Sequence, residues 1–103
     1  MKEIVAGTTP TIEYTFRSVV PSDITTALLT FKKDGIIILR KDLDDAEVLE
    51  NKMFFLLSQA DTLKLGTGNV EIMLNWVDTN GIRGVGNTEI VKVLPNHKNE
   101  VMT

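Results

Sequence analysis

The single histidine of the chain, His97, is the side chain best suited to acid–base chemistry near neutral pH. A catalytic histidine needs packed surroundings and a partner that orients its ring, whereas His97 lies in the polar stretch after the last apolar segment. The serines that could act as a nucleophile each fall at a predicted turn or helix cap, namely Ser18, Ser22 and Ser58. The sequence therefore predicts no catalytic residue and no enzyme activity.

A short acidic run offers the oxygen ligands that calcium prefers, namely Asp42, Asp44, Asp45 and Glu47. Calcium loops place such ligands at set spacing and usually include a glycine for the sharp turn. The segment KDLDDAEVLEN, residues 41–51, contains no glycine and directly follows a predicted strand. We interpret it as a solvent-exposed connection, and the sequence predicts neither a metal site nor a cofactor.

Three glycines, Gly81, Gly84 and Gly86, are spaced somewhat like those of a phosphate-binding loop. Such loops follow a strand and open a helix, whose N-terminal amides hold the phosphate. Here a strand pattern follows, and the order G-x-x-G-x-G is the reverse of the dinucleotide motif. The glycines instead indicate a hairpin turn and then a β-bulge or a change of register.

Aromatic side chains could form a platform for a sugar ring, and the chain has six of them: Tyr14, Phe16, Phe31, Phe54, Phe55 and Trp76. Most of them occupy alternate positions in predicted strands, on the face that points inwards. Aromatic residues at such spacing usually belong to a core. Core packing is therefore favoured, and carbohydrate binding is kept as an alternative function.

Composition disfavours several classes of protein. The 103 residues suffice for one domain with one modest core. The formal net charge of −3, without a cluster of Lys and Arg, disfavours nucleic-acid binding. The absence of cysteine excludes disulfides and thiolate chemistry. No segment reaches the roughly 20 apolar residues that cross a bilayer, so we expect no membrane partner.

Alternation of apolar and polar residues predicts short strands, most clearly at residues 12–16 and 70–77. Asp34-Gly35 and Asn80-Gly81 predict hairpin turns, because such turns need positive φ. Residues 53–57 are apolar on both faces, a pattern typical of strands that are covered on both faces. Further strands are predicted at 2–6, 26–33, 36–41 and 88–94.

Residues 58–66 predict one or two helical turns, because Ser58 is a good N-cap and Gly66 can end the helix. The whole pattern predicts an all-β fold: an immunoglobulin-like antiparallel β-sandwich of about seven strands with one short helical turn. Residues 1–95 are expected to form this domain, and residues 96–103 a polar C-terminal tail.

The first hairpin predicts surplus apolar surface. A two-residue turn at 34–35 pairs Phe31 with Ile38 on one face. Ile37 and Leu39 then fall on the opposite face, which ought to be polar in a free monomer. Two explanations fit: cover by the chain's own loops and helical turn, or contact with another subunit. Ile37 and Leu39 are therefore the candidate partner-binding residues.

The succession of motifs resembles small structural proteins of phages and prophages of Gram-positive bacteria. They are similar to the N-terminal domain of phage upper baseplate proteins. The resemblance covers nearly the whole chain and rests on strand-and-turn motifs, namely GTTPT (7–11), L-S-Q-x-x-T-L (57–63), G-x-V-E-I-x-L-N-W (68–76), N-G-x-R (80–83) and T-E-I-V (88–91). Two departures are the extra glycine at residues 83–87 and the absence of the long extension by which baseplate proteins hold receptor-binding subunits.

The resemblance implies a β-sandwich with a role in the virion or its assembly, without enzyme activity or cofactor. It implies other virion proteins as partners, and a homo-oligomer is the other assembly that surplus apolar surface would allow. The expected location is the host bacterial cytoplasm during assembly and then the virion. The alternative function is a carbohydrate-binding or adhesive β-sandwich.

Overall fold

Alternating apolar and polar residues build two β-sheets in this chain. The computed structural model describes residues 2–17, 19–86 and 88–95. Within them the elements are, in order, β1 (Lys2–Val5), β2 (Thr11–Thr15), β3 (Ile24–Lys33), β4 (Ile36–Asp42), β5 (Ala46–Leu49), β6 (Lys52–Leu56), α1 (Gln59–Lys64), β7 (Gly68–Asp78), β8 (Arg83–Val85) and β9 (Glu89–Leu94). Short 3₁₀ turns, Pro21–Asp23 and Leu43–Asp45, precede β3 and β5.

The larger sheet has the strand order β1-β9-β7-β3-β4, with β8 pairing with β7, and the smaller sheet has the order β2-β6-β5. The predicted β-sandwich with one short helix is confirmed. Two details of the prediction are wrong. The described residues form nine strands and not about seven, because β5 lies inside the acidic run and β8 is separate from β9. The sandwich is also not wholly antiparallel, since β1 pairs with β9 in parallel.

The hydrophobic core lies between the two sheets, where every second strand residue points inwards. In β7, Val70, Ile72 and Leu74 are fully buried, whereas the intervening Glu71 is exposed. The largest fully buried side chains from the other strands are Leu29, Phe31, Met53, Phe55, Val91 and Val93. Burying an apolar side chain of this size stabilises the fold by about 1.5–3 kcal/mol, so the core accounts for the sandwich without any disulfide.

The turn of the first hairpin forms as the sequence predicts. Asp34 and Gly35 have φ values of 54° and 78°, the positive values that a type I′ turn needs at both central positions. The flanking residues Lys33 and Ile36 pair directly across it.

A β-bulge beyond this turn corrects the predicted position of Leu39. The ladder shifts between Phe31 and Lys32, so Phe31 pairs with Leu39 and not with Ile38. Ile38 is the extra residue that such a bulge inserts. Leu39 consequently shares the inner face with Phe31 and packs against the core, whereas Ile37 pairs with Lys32 on the outer face. The prediction that Leu39 faces outwards together with Ile37 is wrong.

The second hairpin turns at Gly81, whose φ is 77°. The Gly81 amide donates to the Asp78 carbonyl over 3.0 Å, and the Asp78 amide donates to the Ile82 carbonyl over 3.0 Å. The pairing with β7 then shifts by one residue between β8 and β9. The predicted bulge or register change at the glycines is therefore confirmed.

Helix α1 begins with the predicted cap. The Asp61 amide donates to the Ser58 hydroxyl over 3.1 Å, and the Ser58 amide donates to the Asp61 carboxylate over 2.9 Å. This reciprocal pair is a capping box, which satisfies two amides that the helix itself cannot bond. The short helix links the smaller sheet to β7.

Thr62 attaches this helix to the connection between β1 and β2. Its side chain is fully buried. Its hydroxyl accepts from the Gly7 amide over 3.0 Å and lies 2.8 Å from the Thr8 carbonyl, to which it donates. The side chain thus satisfies two backbone groups of a segment that belongs to neither sheet.

The Asp61 carboxylate also makes the free energy of unfolding depend on pH in the acidic range. Burial raises the pKa of Asp61, but hydrogen bonds from Lys41, 2.7 Å away, and from Ser58 outweigh it, so the pKa is lowered from its ordinary value of 3.8. A carboxyl whose pKa is lower in the folded state stabilises the fold above its unfolded pKa and loses that contribution as the pH falls through the folded pKa. Below about pH 4, we expect the free energy of unfolding, measured with urea, to fall less with pH for the Asp61→Asn variant than for wild type. An equal dependence on pH in the two proteins would contradict this role of Asp61.

Three parts of the sequence predictions lie outside the described residues. These are Ser18, the polar tail at residues 96–103, and His97 within that tail.

Candidate interaction surfaces

Of the two predicted partner-binding residues, Ile37 is exposed, whereas Leu39 is half-buried and packs against the core. Ile37 is 40% exposed, and its neighbour Ile36 at the hairpin turn is 66% exposed. On the outer face of the larger sheet, successive strands place Ile37 in a row with Lys32, Glu71 and Ile90. Two charged side chains therefore separate Ile37 from the next apolar residue of its row.

Three apolar side chains line one depression on the outer face of the smaller sheet. Phe54 and Leu56 project from β6 away from the core, and Leu49 on β5 pairs with Lys52, diagonally across from Phe54. Leu56 is 63% exposed and Leu49 is 64% exposed, while Phe54 is half-buried. We name these three residues the β5–β6 patch. Exposed apolar side chains that adjoin one another are typical of protein contact sites.

The rim of the β5–β6 patch is acidic. Glu13 and Glu47 pair with Phe54 from the two neighbouring strands. Lys52 forms an ion pair with Glu13 over 3.0 Å, so the excess negative charge lies on the β5 side. There Asp44, Asp45 and Glu47 border the same depression as the patch. A complementary surface would be apolar at its centre and carry Lys or Arg on one side.

The acidic run itself shapes the backbone. The Asp44 amide donates to the Asp42 carboxylate, and the Asp42 amide donates to the Asp45 carboxylate, each over 3.0 Å. These bonds cap the 3₁₀ turn that leads into β5. Over residues 2–17, 19–86 and 88–95, no three His, Cys, Asp or Glu side chains are grouped closely enough to hold a metal ion. The acidic run therefore forms a 3₁₀ turn that is followed directly by strand β5.

Part of the patch is visible in the sequence. The apolar pattern at residues 53–57 already places Phe54 and Leu56 on the face opposite Met53 and Phe55, and the structure confirms this division. The sequence does not predict Leu49 as part of the patch. Strand β5 overlaps the acidic run, where apolar and polar residues alternate over only a few positions.

A groove of ≈ 610 Å³ lies along the edge of the sandwich, between β2 and the β7–β8–β9 strands. We name it the edge groove. The aromatic rings of Tyr14, Phe16 and Trp76 line it, with Glu13, Arg17 and Glu89 among its polar side chains. Phe16 and Trp76 meet edge to face, with 6.0 Å between ring centroids and 77° between ring planes. These three rings are therefore only partly buried in the core.

Two glycines lie directly against these rings. A Cβ atom on Gly84 would be 2.0 Å from Cζ2 of Trp76, and one on Gly86 would be 3.3 Å from Cε1 of Tyr14. The indole of Trp76 therefore lies over Gly84, its partner across the β7–β8 ladder. These close approaches explain why residues 84 and 86 are glycines, and a phosphate-binding role is not needed to account for them.

The hydroxyl of Tyr14 is buried and has no hydrogen-bond partner among the residues that the structure describes. Burial raises the pKa of Tyr14 to about 12, and the negative charge of Glu89 adds to the effect. Buried hydroxyls in folded proteins usually find a partner. The ring of Tyr14 lies at the wall of the edge groove, whereas its hydroxyl is enclosed by the protein.

The similarity to known proteins lies in the fold. No protein-family model matches the sequence, and no curated protein matches it. Among solved structures, a strand-swapped dimer of the immunoglobulin-like domain of mouse leukocyte-associated immunoglobulin-like receptor 1 is 15% identical, with a TM-score of 0.52 over 89% of this chain and 85% of that chain. The V domain of amphioxus IgVJ-C2 is 14% identical, with a TM-score of 0.36 over 88% and 97%.

The sandwich is thus immunoglobulin-like, as the sequence predicts. In the described part of the chain, no helix combines the length and apolarity that crossing a membrane requires.

Proposed function

We propose that this chain is a structural or assembly protein of a phage or prophage virion, and that it acts by protein–protein contact through the β5–β6 patch. The observation that carries the proposal is the outer face of the smaller sheet, where Leu49 and Leu56 are both more than 60% exposed beside Phe54. The motif resemblance supports the virion context, and the immunoglobulin-like sandwich supports a binding role.

The energetics favour a partner over a free surface. Covering an exposed leucine stabilises a complex by about 1.5–3 kcal/mol when burial is complete. Two such residues around a half-buried phenylalanine form the kind of apolar centre that dominates binding in protein interfaces. The acidic β5 side would orient the partner and speed its association.

The proposed location follows from this role. The chain would fold in the cytoplasm of the host bacterium and then join a particle, in which its neighbours are other virion proteins or further copies of itself. The baseplate is the position that the motif resemblance favours.

Incorporation into particles tests the proposal. We expect particles released from an induced lysogen and purified on a density gradient to contain this chain at a fixed ratio to a tail or head protein, measured by quantitative mass spectrometry. Incorporation of the Leu49→Thr/Leu56→Thr double variant should fall about tenfold or more. The two substitutions remove apolar contacts whose loss weakens the affinity for the partner by about one order of magnitude or more.

The matched control is Ile90→Thr, which removes a side chain that is 50% exposed on the outer face of the other sheet. It should be incorporated like wild type. Absence of the chain from purified particles would overturn the virion proposal. Normal incorporation of the double variant would overturn the role of the patch.

Carbohydrate binding is the second candidate, and the edge groove is the observation that favours it. Its rings have polar neighbours in Glu13, Arg17 and Glu89. Sugar stacking requires an open ring face, however, and the indole of Trp76 already lies over Gly84. Protein contact through the patch is therefore the function that the geometry supports best.

A further inference from the structure

Strand β2 has one open edge. Within residues 2–17, 19–86 and 88–95, it is the terminal strand of the smaller sheet and pairs with β6 alone. An open edge presents backbone amides and carbonyls that can pair with another extended chain. This edge lies next to the edge groove, since Glu13, Tyr14 and Thr15 of β2 form one wall of the groove.

The hydrogen bonds at the two ends of β2 show which backbone groups face that edge. The Phe16 amide donates to the Asn51 carbonyl over 2.8 Å, and the Leu57 amide donates to the Pro10 carbonyl over 2.9 Å. In an antiparallel pair the residues alternate between bonding to the neighbouring strand and pointing away from it. The even-numbered residues of β2 therefore bond to β6. The amides and carbonyls of Thr11, Glu13 and Thr15 point to the open edge.

The groove beside this edge is suited to side chains. Leu74, Trp76 and the ring of Tyr14 give it an apolar wall, and Gly86 leaves room because it carries no Cβ. A strand laid along β2 would direct every second side chain towards these residues, because side chains alternate between the two faces of a sheet.

We propose that an extended segment of another protein adds to the open edge of β2 as a fourth strand of the smaller sheet, pairs with Thr11, Glu13 and Thr15, and inserts alternate apolar side chains into the edge groove. This mode of recognition draws affinity from backbone hydrogen bonds and specificity from the side-chain pockets. The site is separate from the β5–β6 patch and does not depend on its role.

Charge determines which kind of segment fits. Lys52 already neutralises Glu13 across β2 and β6, whereas Arg17 lies at the groove beyond the end of β2. The segment therefore carries an Asp or Glu near Arg17. A second copy of β2 is disfavoured, because antiparallel self-pairing centred on Glu13 sets two glutamates opposite each other, and like charges in that position are destabilising.

The test uses a displayed library of peptides of about nine residues, enough to pair along β2 with an overhang, with apolar residues at alternate positions. We expect selected peptides to bind the full chain and to slow amide hydrogen exchange at Thr11, Glu13 and Thr15 about tenfold or more, because these amides gain hydrogen bonds. The Leu49→Thr/Leu56→Thr variant should bind the same peptides equally well, which separates this site from the patch.

Proline on the open edge blocks the pairing. Glu13→Pro and Thr15→Pro each remove an outward amide while keeping the bonds to β6, a position that edge strands tolerate. Each should weaken peptide binding about tenfold or more, whereas Glu13→Thr, which also loses the Lys52 ion pair, should bind nearly as well as wild type. The exchange measurement on wild type stands even if a proline variant fails to fold.

Three outcomes would overturn the proposal. The first is that the library yields no binder. The second is that selected peptides protect amides elsewhere and leave those of β2 unchanged. The third is that soluble sugars compete with the peptides for the groove, which would assign it to carbohydrate.

Discussion

Replacing Gly84 with alanine will lower the free energy of unfolding by about 1–3 kcal/mol, the usual cost of forcing extra atoms into a packed site. The new Cβ would lie 2.0 Å from Cζ2 of Trp76 and 2.3 Å from Cε2. Such distances require the whole indole to move, and the ring also packs edge to face with Phe16. The measurement is urea unfolding followed by far-ultraviolet circular dichroism.

A double-mutant cycle with Trp76→Leu is the control for Gly84→Ala. If the indole is the cause, Gly84→Ala should cost much less when Trp76 is already leucine, because the flexible smaller side chain can move aside. An equal cost in both backgrounds would show that the glycine is needed for another reason. A stable Gly84→Ala single variant would contradict the close approach altogether.

Replacing Thr62 with valine will lower the free energy of unfolding by about 1–3 kcal/mol, although the two side chains have nearly the same shape. The Gly7 amide would lose its acceptor and the Thr8 carbonyl its donor, and leaving buried polar groups unsatisfied carries that cost. One hydroxyl makes both bonds, and the Thr62 side chain is fully buried, so solvent cannot replace the bond from the Gly7 amide without opening the structure. Urea unfolding measures the change.

Thr62→Ser is the matched control, because serine keeps the hydroxyl and loses only a methyl group. It should retain most of the stability that valine loses. Amide exchange at Gly7 gives a second readout, and we expect it to accelerate in Thr62→Val alone. If valine is as stable as threonine, the link between α1 and the β1–β2 connection is not a stabilising one.

The short-range rules were enough to predict most of the elements. The alternation in β2 and β7 follows from one buried face, the type I′ turn from Asp34-Gly35, and the helix cap from Ser58 with Asp61. Each of these depends on residues within a few positions of one another. The pairing of β1 is different: the strand itself is predicted at residues 2–6, but its parallel pairing with β9 joins segments far apart in the sequence and leaves no local pattern.

The candidate surface was harder to predict, since one bulge reverses the face of a side chain. Moving the register by one residue at Phe31 and Lys32 is enough to turn Leu39 from the outer face to the inner face, where it packs against the core. All four residues at 36–39 are apolar, so the sequence alone does not show which of them face the core. Leu49 is exposed for a related reason: β5 is short, and the charges around it predict a loop.

The two proposed surfaces both belong to the smaller sheet. The β5–β6 patch covers its outer face, and the open edge of β2 completes it laterally. One three-stranded sheet would in this way contact two different partners, while the larger sheet packs behind it across the core. A small domain with two separate contact surfaces is suited to joining other proteins in an assembly.

Photo-cross-linking in the producing cell tests the central claim most directly. A benzophenone amino acid would be placed at Leu56 and, as the comparison, at Ile90 on the outer face of the larger sheet. We predict that illumination during assembly links the first variant to one defined virion protein and leaves the second largely unlinked. Equal cross-linking from both positions, or none from Leu56 in particles that contain the chain, would contradict contact through the β5–β6 patch.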